Sequence, residues 1–566
     1  MEKLLKIAFV TETYPPEING VAKTIAKMVQ NLRSRGYFLQ VFRPKQGIHD
    51  GNESQNNGQD ITLPGLKIPV YRDLNIGLPS TRFLLKAWKS NPPDLVHIVT
   101  EGPLGWSAVR AAKRLRLPII SDFHTNFHSY SRYYHLGILQ NALEKYLRSF
   151  HNHTDCTLVP TRELEKILSA KGYKKVEVVG RGVDAKLFSP RQRDPDLRKS
   201  WGLTENDIAV LYVGRLAAEK NIHLILNAFD CMHFKNPGLR LVLVGDGPRR
   251  KHLQHKYPCV IFPGMQRGEA LARYYASGDI FLFPSITETF GNVILEALAS
   301  GLAIVAFDYA AAREYLRHNE SAFLAPFNNQ PEFIKLASSL AECPDTIERL
   351  RRAAQEKAKA CTWEDIISQL EQVYFSLIYL KEKKMLQYVV KDTMGKMDRL
   401  EAPVCLVFNR FSQKKLFYPL FVCVSKLGNG FFWYFFMVGL PLMYGPEAIK
   451  VVVQMLLTGS IGVFFYKLIK SHTSRLRPFQ TQPEVRGPVQ PLDQYSFPSG
   501  HTLHAVAFTV MLVSHYPVLG WITIPFTILV ALSRVILGLH YPSDVLAGVA
   551  SGYFISEFTF LIYPTA

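Results

Sequence analysis

Charge is spread unevenly along this chain, and that asymmetry constrains its fold more than any other feature. Residues 391–566 hold 14 Lys and Arg against 8 Asp and Glu, a net of +6, and the residues before them carry the remaining +13 of the total of +19. Within the later part, Phe431–Tyr444, Val451–Ile469, Thr502–Val513, Val518–Leu532 and Val545–Tyr563 are apolar runs almost free of charge. Runs of about 20 residues match a hydrocarbon core about 30 Å thick, so five membrane spans are expected. A buried core helix has the same composition, but five in succession argue for a bilayer. Leu400–Val424 is a candidate sixth span, but it carries Arg410, Lys414 and Lys415, and an interfacial amphipathic helix is the favoured reading. The mean hydropathy of +0.02 is thus an average over two unlike parts. A single uniform globular domain, a collagen-like chain and a disordered acidic chain are all excluded.

Before residue 380 the pattern alternates. Lys6–Thr11, Leu39–Arg43, Leu95–Val99, Ile119–Phe123 and Cys156–Val159 read as strands, with helices such as Val21–Arg35 and Ser107–Arg116 between them. His49–Asp60 reads as a polar loop. The series restarts with Ala209–Val213, Leu241–Val244, Val260–Phe262, Ile280–Phe283 and Ala303–Phe307. Alternating strands and helices imply parallel sheets covered on both faces. The expected organisation is a Rossmann-like domain over 1–190, a second over 191–380 closed by a helix at Trp363–Tyr379, a basic linker over 381–400, and a helical membrane domain over 401–566.

Seven scattered cysteines form no C-x-x-C pair, which suits reduced thiols. The N-terminal apolar run is broken by Thr11 and Glu12 and reads as a buried strand, so the first part is expected in the cytoplasm. The positive charge points to anionic partners. No arginine-rich tract or zinc spacing favours nucleic acid, whereas the basic helix Ser107–Arg116 suits anionic lipid.

The chemistry sits in strand-end loops. Thr13-Tyr14-Pro15-Pro16 leads to Asn19-Gly20 at a helix start, where N–H groups can meet a phosphate. Arg215 and Lys220, five apart across a strand-to-helix turn, suit a diphosphate leaving group. In Pro284-Ser285-x-x-Glu288-Thr289-Phe290-Gly291-Asn292, Glu288 suits sugar hydroxyls and Gly291 and Asn292 offer N–H groups to an anion. Glu296 lies two turns on and suits a ribose. These residues together resemble the retaining GT-B glycosyltransferases of family four, across about residues 5–380, and within them the mannosyl and glucosyl transferases that act on lipids. The resemblance extends to Ser121-Asp122-Phe123-His124-Thr125-Asn126-Phe127, which gives His124 a role beside the reacting sugar, and to Gly180-Arg181-Gly182-Val183-Asp184. It implies a nucleotide-sugar donor and no metal or other cofactor. Asp194-Pro195-Asp196 falls in a presumed linker, and His124, His128 and His135 lack the context of a metal site. Tyr309-Ala310-Ala311-Ala312 replaces a Gly-Gly pair common in that family.

A second constellation lies among the apolar runs. Lys470-x6-Arg477-Pro478, Phe497-Pro498-Ser499-Gly500-His501 and Ser533-Arg534-x5-His540-x3-Asp544 place three cations, two histidines and a carboxylate at one membrane face. The pattern resembles the type 2 phosphatidic acid phosphatase superfamily across about residues 400–563. That resemblance implies that His540 attacks phosphorus, Asp544 orients its ring, and His501 protonates the leaving alcohol. Lys470, Arg477 and Arg534, with the Ser499 and Gly500 N–H groups, would hold the phosphate. The expected whole is a bifunctional inner-membrane enzyme that frees a lipid from its phosphate and glycosylates a lipid acceptor, with diacylglycerol and phosphatidic acid favoured. The alternative joins a polyprenyl diphosphate or phosphatidylglycerol phosphate phosphatase to another glycolipid or polysaccharide transferase. Donor sugar, oligomeric state and the face carrying the phosphatase site are left open by these residues.

Overall fold

The computed structural model describes residues 4–564 apart from 18, 47–49, 51, 52, 56, 69, 70, 125–136, 205, 206, 415, 416, 488–490 and 492. The chain divides into two compact units, Met1–Tyr379 and Leu380–Ala566.

The first unit holds two sheets. One contains β1 (Lys6–Val10), β2 (Phe38–Pro44), β3 (Glu53–Gln55), β4 (Gly58–Leu63), β7 (Leu95–Ile98), β8 (Ile119–Asp122), β9 (Cys156–Val159) and β10 (Val176–Val178), with β5 (Gly65–Ile68) and β6 (Tyr71–Gly77) forming a separate ribbon. Its order is β10-β9-β8-β7-β1-β2-β4-β3, parallel except for β3 against β4. The expected loop at 49–60 therefore contains part of the sheet: β4 pairs with β2 from Leu39↔Gly58 to Pro44↔Leu63. Polar residues such as Asp60 survive there because Arg33 pairs with its carboxylate at 2.7 Å. Ile7, Ala8, Phe9 and Val10 are all fully buried, without alternation, because helices cover both faces. Phe9 and Ile7 face Ile25, Met28 and Leu32 on one side, where Ile367, Leu370 and Tyr374 also pack. Ala8 and Val10 face Trp88, Leu104 and Phe150 on the other.

The second sheet contains β11 (Ala209–Val213), β12 (Arg240–Val244), β13 (Ile261–Gly264), β14 (Ile280–Phe283), β15 (Ala303–Phe307) and β16 (Phe323–Ala325), ordered β13-β12-β11-β14-β15-β16 and parallel throughout. Each sheet reverses its order once, between β7 and β1 and between β11 and β14. Crevices at such switch points, outside the carboxyl ends of the strands, are where doubly wound sheets bind ligands.

The second unit is helical. Residues 381–400, expected as a linker, are the middle of a 47-residue helix, Trp363–Asn409. Leu400–Val424 is not one amphipathic helix. It holds the end of that long helix, a turn, and most of Phe417–Leu427, which bends by 54° into Phe431–Tyr444. Among the described residues, three helices can cross a membrane by length and composition, Ala448–Thr481, Pro517–Ile536 and Pro542–Ile562, or four with the bent pair counted as one span. Thr502–Val513 lies in a 16-residue helix, Gly500–His515, and Phe431–Tyr444 has 14 residues. At 1.5 Å per residue both fall short of the expected 20-residue span.

Gly500–His515 and Pro542–Ile562 pack closely. A Cβ on Gly548 would lie 2.7 Å from the Ser499 carbonyl, and one on Gly552 would lie closer still to that of Leu503. Small residues four apart let two apolar helices touch backbone to backbone.

Candidate active sites

In the first unit, the loop after β1 is built by its own polar side chains. Thr11 Oγ1 donates to the Thr13 carbonyl (2.7 Å), Thr13 Oγ1 to Glu17 (2.5 Å) and Asn19 Nδ2 to Thr13 Oγ1 (2.7 Å). Asn19 Oδ1 accepts the Ala22 N–H at 2.7 Å and caps the helix Gly20–Ser34. A Cβ on Gly20 would meet nothing within 4 Å, so this helix N-terminus borders open space. Asn292 Nδ2 donates to Thr24 Oγ1 at 3.2 Å and brings a second N-terminus, that of Asn292–Ala299, to the first. Gly291 precedes it at φ +93°, a conformation that glycine adopts without strain. Two helix N-termini on one cleft favour an anion.

The second sheet's switch point supplies charge. Lys220 pairs with Glu288, and Ser285 Oγ also donates to Glu288 at 2.8 Å. Arg215 stands apart: it is half exposed, and lies 4.0 Å from Glu219. Glu296 accepts from Tyr275 Oη at 2.9 Å, and burial pushes its pKa up. Tyr309 Oη donates to the Glu288 carbonyl at 2.8 Å. Ala310 sits at φ +50°, a left-handed conformation that costs a residue with a Cβ about 1 kcal/mol. Asp194 accepts the Leu197 N–H at 3.0 Å and caps a short helix.

His124 is the end of a buried polar chain. Its Nε2 lies 3.0 Å from Asp122 Oδ2, and Arg181 donates to its Nδ1 at 3.2 Å. Arginine only donates, so the Nε2 of His124 carries the proton given to Asp122. Burial lowers the pKa of His124, against the pull of Asp122. Burial acts to raise Asp122, but His97 and His124 outweigh it and hold the carboxyl well below its usual range. His97 Nε2 stands 2.9 Å from Asp122 Oδ1, and its Nδ1 shares a hydrogen bond of 2.6 Å with Tyr374 Oη. Sequence reasoning gave no role to Asp122, His97, Tyr374 or Arg181. Asp122 and His124, two apart at the end of a strand, share a side by the strand period of two, which is the available signal. His128 and His135 lie outside the described residues.

Glu12 lies two residues beyond the end of β1. It accepts the Leu104 N–H at 2.9 Å, and burial raises its pKa to about 7, with Glu101 adding repulsion. The expected basic helix spans Pro103–Arg114, and Arg110, Lys113, Arg114 and Arg116 are exposed.

In the second unit the three motifs converge. His540 is buried. Burial pushes its pKa well below the usual value, and Arg477, Arg534, Lys470 and His501 push the same way. Arg477 Nη1 donates to the Leu539 carbonyl (2.7 Å) and stands 3.2 Å from His540 Nε2. His540 Nδ1 lies 3.6 Å from Asp544 Oδ2, while that oxygen accepts the Tyr541 N–H at 2.8 Å. The ring therefore presents Nε2 toward Arg477 and Nδ1 toward the carboxylate. Lys470 reaches Asp493 at 2.7 Å and lies over the Tyr466 ring. The Ser499 N–H, expected to face phosphate, instead donates to the Asp544 carbonyl at 2.9 Å. Ser499 Oγ caps the helix Gly500–His515.

Several residues enter this site unannounced. Arg475, between Lys470 and Arg477, is fully enclosed by carboxylates: Asp398 and Glu401, each at 2.8 Å, and Asp544. Glu401 also accepts the Ser543 N–H at 3.1 Å, at the start of the helix that carries Asp544. From the bent segment, Ser425 Oγ accepts from Arg534 Nη1 at 2.6 Å and Asn429 contacts His501. A break between two apolar helices was the signal, and Gly428-Asn429-Gly430 marks it.

Known proteins match these units separately. Residues 18–187 match the model described as Glycosyltransferase Family 4, residues 193–357 that of Glycosyl transferases group 1, and residues 448–566 the PAP2 superfamily. A GDP-mannose-dependent alpha-mannosyltransferase of Corynebacterium glutamicum is 32% identical over 67% of this chain and 91% of its own. An alpha-monoglucosyldiacylglycerol synthase of Streptococcus pneumoniae is 30% identical over 53% and 71%. The solved sucrose-phosphate synthase of Thermosynechococcus elongatus superposes on 66% of this chain and 100% of its own, with a TM-score of 0.57 at 21% identity, a likeness of fold. Two sheets with facing switch points and a second unit with all three phosphate-gripping motifs thus agree with the matches: the chain belongs to the family 4 glycosyltransferases and carries a PAP2 superfamily phosphatase domain behind them.

Proposed function

We propose that the two activities are consecutive: the phosphatase converts phosphatidate to diacylglycerol, and the transferase glycosylates that alcohol. One observation carries the reading. A relative named for making monoglucosyldiacylglycerol shares the transferase half, and the appended phosphatase domain would yield that relative's acceptor from phosphatidate.

In this reading His540 Nε2 attacks phosphorus, with Asp544 facing Nδ1. The P–O bond to glycerol breaks, His501 gives its proton to the leaving oxygen, and water then cleaves the P–N bond to release phosphate. Lys470, Arg477 and Arg534 neutralise the oxygens. In the cleft of the first unit the diacylglycerol oxygen bonds to the anomeric carbon as the bond from that carbon to the diphosphate breaks; the hydroxyl proton passes to the departing diphosphate oxygen, and the nucleoside diphosphate leaves toward Lys220, Arg215 and the helix N-termini at Gly20 and Gly291. Glu288 and Glu296 hold sugar and ribose hydroxyls, and His124 lies beside the sugar. No metal is invoked. Nucleotide sugars are cytoplasmic, so the transferase works on the cytoplasmic face of the inner membrane.

The full chain in mixed micelles, given glycerol-labelled phosphatidate and either UDP-glucose or GDP-mannose, should release phosphate and form labelled glycosyl-diacylglycerol. His540→Asn should block product from phosphatidate but not from added diacylglycerol. Glu288→Gln should leave diacylglycerol accumulating. Absence of glycolipid from both lipids with both donors overturns the proposal.

A further inference from the structure

Three cations define the phosphate seat of the second unit, and a carboxylate of the chain is already on two of them. Asp493 meets Lys470 Nζ at 2.8 Å through Oδ1 and 2.7 Å through Oδ2, and Arg477 Nη2 at 2.6 Å through Oδ1. Arg477 Nη2 also donates to the Asp493 and Tyr495 carbonyls, each at 3.1 Å. Among the described residues no other carboxylate contacts Lys470, Arg477 or Arg534. Burial is graded: the Lys470 and Arg477 side chains are 7% and 2% exposed, and Asp493 is 36% exposed. The anion is thus the outermost member of the cluster, with the cations and His540 beneath it. Arg477 Nε, Arg534 Nε and His540 Nδ1 are buried and make no hydrogen bond.

We propose that Asp493 occupies the seat of a phosphate monoester in the free enzyme and is displaced when substrate binds, so that it sets the affinity of the phosphatase for phosphate. This rests on the phosphatase reading of the site. The physical need is plain: three cations held in a low-dielectric site repel one another, and one carboxylate offsets that repulsion until a phosphate takes over. The apparent dissociation constant for phosphate is then the intrinsic one divided by the fraction of molecules in which the seat is vacant. A residue that merely braces the loop, or one that helps grip substrate, predicts the opposite sign.

The test uses the full chain, with inorganic phosphate and phosphatidate as separate arms. Replacing the charge while keeping the shape, Asp493→Asn should lower the inhibition constant for inorganic phosphate about tenfold, with KM for phosphatidate falling too. Asp493→Glu should not reproduce the gain. A fall in the phosphate arm alone would assign the seat to the free ion and not to a lipid headgroup, and would overturn the substrate part of the proposal. An unchanged or raised constant in both arms overturns all of it. A readout needing no variant is coupling of glycine ethyl ester to Asp493 by carbodiimide in the wild-type chain, read by mass spectrometry. Phosphate should increase this labelling severalfold, and protection would overturn the displacement. If wild type hydrolyses no phosphate monoester at all, the phosphatase reading fails; if it does and neither readout moves as stated, only this inference fails.

Discussion

Glu12 sits where the chain leaves the first strand of the transferase unit, and its carboxyl is held in a protein-lined pocket instead of water. Burial raises its pKa from 4.5 to about 7, with Glu101 adding repulsion against the single N–H of Leu104. A carboxyl whose pKa is higher folded than unfolded binds its proton more tightly in the native state. Its contribution to stability is therefore complete below about pH 4.5 and is lost as pH rises through about 7. Glu12→Gln keeps the acceptor oxygen for Leu104 and removes the charge. The variant should resist thermal inactivation of the transferase better than wild type at pH 8, and the advantage should vanish by pH 5. A pH-independent difference between the two proteins would contradict the assignment. Asp122 shows why burial alone decides nothing: it is more deeply enclosed, yet two imidazoles keep it ionised.

The helices of the phosphatase unit depend on small residues at their crossings. Gly548 and Gly552 let Pro542–Ile562, which carries Asp544, lie against Gly500–His515, which carries His501, with the Ser499 N–H bonded to the Asp544 carbonyl. A larger side chain at either glycine must push the helices apart. Gly552→Leu, about two turns along the helix from Asp544, should cut phosphate release from phosphatidate by a factor of about ten or more by moving the two halves of the site by about 1 Å, while glycosylation of added diacylglycerol persists. Equal loss of both activities would mean general misfolding, not misalignment. The strands and the phosphate motifs were legible in the sequence because each is local: an apolar run, or charges at fixed spacing. Asp544 and His540 sit four apart and could be paired by eye. What stayed hidden was long-range. Glu401 reaches Ser543, Ser425 reaches Arg534 and Asn429 reaches His501 across scores of residues, and no spacing announces such contacts. The strand at Gly58–Leu63 was hidden for another reason, since its buried Asp60 is accommodated by Arg33, far from it in sequence.

The helical unit also fixes which end of its bundle the chain enters. Asp398 and Glu401 hold Arg475, and Asn409 Nδ2 donates to the Ile536 carbonyl at 2.9 Å, so the end of the helix Trp363–Asn409 lies beside the phosphate site. The opposite end is marked by the stacked rings of Tyr444 and Tyr516, 4.2 Å apart, and by Gln454, which donates to the Tyr563 carbonyl at 2.8 Å and meets His515 at 3.0 Å. From Phe431–Tyr444 onward, consecutive helices therefore alternate between the two ends, and Tyr563 lies at the far one. The residues at the entry end are basic: Lys391, Lys396, Arg399, Arg410, Lys414 and Lys426 all precede the first full crossing. Positive charge flanking spans stays on the cytoplasmic side, so the phosphate site should open to the cytoplasm. The exposed Cys231, Cys259, Cys343 and Cys423 are first replaced. A single cysteine at exposed Glu484, in the segment after the Arg477 motif, should then resist an impermeant maleimide in intact cells and react after permeabilisation. One at exposed Glu447, at the far end, should react in intact cells. The reverse pattern would put the phosphatase outside, and diacylglycerol would then have to cross the bilayer before a cytoplasmic nucleotide sugar could glycosylate it.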